Sequence, residues 1–68
     1  MELHQLLRLF KEETNIVIFD IQGIQICKVH SKKDIDVDLY SYNVLQLALQ
    51  TNHSYFDNNT YLCILLEK

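Results

Sequence analysis

The sequence predicts a small α+β domain, with an N-terminal amphipathic helix packed on an antiparallel four-stranded sheet in the order α-β-β-β-β. Three observations predict it. Leu3, Leu6, Leu7 and Phe10 recur at the i, i+3, i+4, i+7 spacing of one helix face. Ile16-Val17-Ile18-Phe19 and the apolar run Thr60–Leu66 have the β-branched and aromatic content of strands. The single glycine, Gly23, closes Asp20-Ile21-Gln22-Gly23 between two apolar runs, the chemistry of a hairpin turn.

A chain of 68 residues is read as a single domain, 1–68, with a thin core. Domains of this size commonly need a disulfide, a metal or a second chain as a supplement. With 49% hydrophobic and 22% charged residues the composition is globular and too apolar for disorder. Six Lys and Arg against nine Asp and Glu leave a formal charge of −3, which disfavours a phosphate backbone as partner. The one basic cluster, Lys28, Lys32 and Lys33, is interrupted by His30 and Ser31 and followed by Asp34, so no direct nucleic-acid binding is expected. No apolar run approaches the roughly 18 residues of a membrane span and no export signal is evident, so a cytoplasmic protein is expected. Two cysteines in apolar runs read as reduced thiols.

Along the chain, the helix is expected over 2–13, with Gln5, Arg8, Lys11 and Glu12 opposite the apolar stripe. Its length is marginal, so the stripe needs the sheet for support. Strand Ile16–Phe19 is apolar on both sides, which leaves either both faces covered or one free for association. In the next strand, 24–30, simple alternation puts Ile24 and Ile26 on one face and Cys27 and Val29 on the other, unless a bulge near Lys28 re-aims them. Asp34, Asp36 and Asp38 resemble the start of a calcium loop, but the sixth and twelfth positions are Leu39 and Leu45 instead of Gly and Glu. An extended segment with outward carboxylates is expected there. Over 40–50, leucine, glutamine and alanine favour helix while the alternation of Leu45, Leu47 and Leu49 favours strand; strand is the preferred reading. Asp57-Asn58-Asn59 has turn chemistry, and a pairing of Phe56 with Thr60 across it would set His53 opposite Cys63.

Cys27, His30, His53 and Cys63 then supply two thiols and two imidazoles, the donor set of a structural zinc site. Residues three apart on a regular strand point to opposite faces, so Cys27 and His30 share an ion only where the strand bulges or ends. The competing reading, two small buried cysteines and two surface histidines, is favoured by that spacing. No phosphate loop, nucleophile context or paired carboxylates in a cleft are recognisable, and no enzyme is expected. Tyr55 and Phe56 are expected to be exposed in a partner-binding patch with Asp57, with Asp34, Asp36 and Asp38 steering toward a basic partner.

The order of an amphipathic helix, an Asn15-Ile16-Val17-Ile18-Phe19-Asp20 strand, a Gly23 turn, an Asp34-Ile35 connection and a Val44-Leu45-Gln46-Leu47 strand resembles small proteins of phages and prophages of low-GC Gram-positive bacteria. This chain has Asp36 where many of those proteins have proline. The two-Cys, two-His content in an acidic domain looks like that of a zinc-containing anti-CRISPR inhibitor of the type II effector nuclease. The resemblance implies non-enzymatic inhibition by binding the host CRISPR effector nuclease in the bacterial cytoplasm, through a block of nucleic-acid loading. Two other functions stay open: a phage module that self-associates as a homodimer through a sheet edge or the Val17/Phe19 face, and a small regulator of host transcription.

Overall fold

A computed structural model describes residues 1–51 and 60–68. The element order is α1 (Leu3–Leu7), β1 (Ile16–Phe19), β2 (Gln25–Val29), two 3-10 turns (Lys32–Asp34 and Val37–Leu39), β3 (Val44–Thr51) and β4 (Thr60–Leu66). The α+β class and all four expected strands are present, and within the stretch 40–50 read as strand the strand begins at Val44. The sheet is mixed, however, with strand order β2-β1-β4-β3. β1 pairs antiparallel with β2 and parallel with β4, and β3 pairs antiparallel with β4. The expected all-antiparallel sheet is therefore corrected. After β2 the connection over 30–43 carries the chain to the far edge, and β4 returns into the centre beside β1.

Helix α1 is shorter than the expected 2–13. Gln5 Oε1 accepts from the Glu2 backbone N–H (2.9 Å) and secures its start. Past Leu7 the backbone tightens, with Leu9 N–H donating to Leu6 O (3.0 Å) and Phe10 N–H to Leu7 O (3.3 Å). Lys32 Nζ then donates to the Leu7 and Phe10 carbonyls (3.0 and 2.9 Å), taking the place of a further turn of helix. At the other end, Leu3 N–H donates to Tyr42 O (2.9 Å) and Val44 N–H to Met1 O (2.7 Å), so the segment before β3 holds the helix start.

One face of the sheet meets this layer. Leu3, Leu6 and Leu7 of the helix and Ile35 and Leu39 of the connection bury against Ile16, Ile18, Leu62, Ile64 and Leu66. Ile35 and Leu39 are brought inward by the two 3-10 turns, which correct the expected extended segment over 31–38. Asp36 Oδ1 accepts from the Asp38 N–H (3.0 Å) and starts the second of them.

The β1–β2 hairpin forms as expected. Gly23 N–H donates to Asp20 O (3.0 Å), Asp20 Oδ1 accepts from the N–H groups of Gln22 and Ile24 (both 2.9 Å), and Gly23 has φ +81. The bulge lies at Ile26, between the Ile18↔Cys27 and Phe19↔Gln25 pairs, and not near Lys28. It turns Ile26 onto the core together with Cys27 and Val29, which corrects the expected division of these side chains between two faces. No helix among the described residues is long and apolar enough to cross a membrane.

Candidate functional site

The second face of the sheet faces away from the helix. Strand alternation sends Val17 and Phe19 of β1 to this side, with Tyr61, Cys63 and Leu65 of β4 beside them. β3 adds Gln46, Ala48 and Gln50, opposite Leu65, Cys63 and Tyr61, and β2 adds Gln25 and Lys28. No helix or connection among the described residues forms a second layer here. Phe19 and Leu65 are partly exposed, whereas Val17 is buried between Lys28 and Cys63 in the ladder. A shallow hollow of about 240 Å³ lies among Phe19, Gly23, Gln46, Ala48, Cys63 and Leu65. A second, of about 270 Å³, lies among Val17, Phe19, Gln25, Lys28, Gln50 and Tyr61. Lys28 Nζ stands 4.6 Å from the centre of the Tyr61 ring, and the His30 ring is 6.4 Å away, tilted by 49°. The arrangement is an apolar centre with an amide-rich rim, the composition of a protein-docking surface.

The predicted zinc ligands are not gathered on one face. Cys27 pairs with Ile18 and packs on the helix-side core, and burial pushes its thiol pKa up. Cys63 pairs with Val17 and Ala48 and opens to the other face, where its Sγ lies 3.3 Å from Gln50 Oε1. The two thiols thus do not converge on a single ion, because the sheet separates them. His30 Nδ1 lies within hydrogen-bond distance of Asn15 Oδ1 (2.8 Å). Asn15 in turn starts the parallel pairing, with its carbonyl accepting from Leu62 N–H (2.8 Å). The expected pairing of His53 with Cys63 is corrected, since Ala48 occupies that position in the β3–β4 ladder. His53 itself lies outside the described residues. Among the described residues no three His, Cys, Asp or Glu side chains form a metal-binding group.

Of the predicted partner-binding residues, Tyr55, Phe56 and Asp57 also lie outside the described residues. Asp34, Asp36 and Asp38 are exposed on the 31–39 connection, in the layer with the helix, and so are remote from the apolar hollow. Phe19 belongs to the Val17/Phe19 face that the sequence offers for association, whereas Leu65 and Ala48 carry no such signal in the sequence. The signal available was the two-sided apolarity of Ile16–Phe19; the matching residues on β4 and β3 emerge only once the strand order is known.

A larger cleft, of about 760 Å³, lies on the helix side among His4, Leu7, Arg8, Glu12, Lys32, Lys33 and Tyr40. Its charges are mixed, and Lys32 is committed to capping the helix. No protein-family model matches this sequence, and neither a curated protein nor a solved structure is significantly similar to it.

Proposed function

We propose that this protein is a non-enzymatic binding module that docks a protein partner on the helix-free face of its sheet. The observation that carries the reading is the apolar centre formed by Phe19, Leu65, Ala48 and Cys63, which has no covering layer among the described residues. A sheet face this apolar is costly to leave in water at roughly 25 cal/mol per Å² of apolar surface, and a partner recovers that free energy. The rim residues Gln25, Gln46 and Gln50 are amides able both to donate and to accept, which suits backbone and polar side chains of a protein surface.

The resemblance to phage anti-CRISPR inhibitors supplies the partner class, the type II CRISPR effector nuclease, with inhibition arising from occupancy of its surface. The chain is acidic overall, which suits a basic nucleic-acid channel of such a nuclease as the docking region. Purified protein is expected to co-purify with the nuclease and to suppress target cleavage. Phe19→Ser is expected to weaken capture about tenfold or more, the scale of a truncated interface anchor. Intact cleavage at large excess of the protein rejects the nuclease as target. Unchanged capture by a folded Phe19→Ser variant rejects this face as the docking surface.

A further inference from the structure

β3 is an edge strand whose outer side, past the Val44 N–H that donates to Met1 O, has no pairing partner among the described residues. Edge strands are normally blunted by charge, bulges or proline, because an open row of N–H and C=O groups invites pairing. The other edge, β2, has two such devices, the bulge at Ile26 and the charge of Lys28. β3 spans eight residues, Val-Leu-Gln-Leu-Ala-Leu-Gln-Thr, with no charge and no proline, and its one irregularity lies at its start, between Val44 and Gln46. Leu47 and Leu49 pair with the buried Ile64 and Leu62 and so project to the core side of the sheet. They are nevertheless 44% and 74% exposed, because the helix layer ends short of this edge.

The sequence of the strand identifies the occupant. Gln46-Leu47-Ala48-Leu49-Gln50 reads the same in both directions. A two-fold antiparallel pairing centred on Ala48 sets Leu47 opposite the partner's Leu49 and Gln46 opposite the partner's Gln50. Directly opposed residues share a face, so the leucines of both copies form one apolar strip on the helix side and the glutamines one amide ladder on the other. From Gln46 to Gln50 like meets like, and each contact recurs with the two copies exchanged, as in an isologous interface.

We propose that residues 45–51 of β3 are the interface of a two-fold dimer in which a second copy of this chain extends the sheet to eight strands across the two β3 edges. The dimer covers the leucines that the helix leaves open and supplements a thin core. It does not rest on the docking reading above, and its test contains no target protein.

The experiment is sedimentation or light-scattering mass of the full chain from micromolar to millimolar concentration. The expected mass is twice that of the 8.1 kDa chain, and Leu49→Lys, at an exposed position, is expected to return it to the monomer value with the fold intact. Two double variants then test the register. Gln46→Glu with Gln50→Glu sets like charges across the interface and is expected to give a monomer. Gln46→Lys with Gln50→Glu sets opposite charges there and is expected to keep the dimer. A monomer at millimolar concentration overturns the proposal. A dimer indifferent to Leu49→Lys, or one that treats the two charge variants alike, overturns it as well.

Discussion

At Asp20 and Gly23 the turn chemistry is local, and it is written in four consecutive residues. The Asp20 carboxylate takes two backbone N–H groups, and Gly23 supplies the positive φ that closes the hairpin. A Cβ built on Gly23 meets nothing within 4 Å, so the cost of a side chain there is conformational and not steric crowding by neighbours. Gly23→Ala is accordingly expected to lower stability by about 1–2 kcal/mol, and Gly23→Asn by less, because asparagine tolerates the left-handed region. Urea denaturation of the three proteins checks the order; equal midpoints for Gly and Ala would remove the role assigned to φ. The same scale also marks where sequence reasoning stopped. The partner of Cys63 depends on how many residues separate β3 from β4, and a tight turn at 57–59 selects His53 whereas the observed ladder selects Ala48. Residue chemistry identified the thiol, but register assigned its neighbour.

For whole elements, the strands were legible because β-branched and aromatic runs declare themselves within a few residues, as in Ile16–Phe19. The end of α1 was not, because the group that terminates it is distant in the chain. Lys32 reaches across to the Leu7 and Phe10 carbonyls, and no local stop signal such as glycine or proline appears near residue 8. The bulge at Ile26 was illegible for a related reason, since it is imposed by pairing with β1. Lys32→Met keeps much of the aliphatic stem but leaves both carbonyls without their charged donor. The expected loss is about 1–2 kcal/mol, below the upper range for charge-assisted hydrogen bonds because the ammonium is partly solvated. Faster amide exchange at Leu9 and Phe10 should accompany it; unchanged exchange there, with unchanged stability, would show that the helix ends independently of Lys32.

Across the whole molecule, the arrangement of strands decides which surfaces are available for function. An antiparallel meander in chain order would make β1 and β4 edges and bury β2 and β3 between neighbours. The observed order does the reverse, so Ile16, Ile18 and Ile64 lie at the centre of the core while the uncharged β3 and the Lys28-bearing β2 form the edges. Sequence patterns do not distinguish these orders, since both bury the same alternate residues. The difference arises in the connection over 30–43, whose Ile35 and Leu39 anchor it to the helix-side core while it crosses to the far edge. Native-state hydrogen exchange separates the two orders directly. Amides of Ile16–Phe19 and the central part of Thr60–Leu66 are expected to exchange through global unfolding. Alternate amides of Gln25–Val29, which point to the outer edge, are expected to open at lower free energy. β2 is the informative strand, because the proposed dimer would protect the outer amides of β3 but leaves those of β2 in water. Protection of every amide in Gln25–Val29, with rapid exchange of alternate amides in Ile16–Phe19, would replace the mixed sheet by the meander and remove β3 as an available edge.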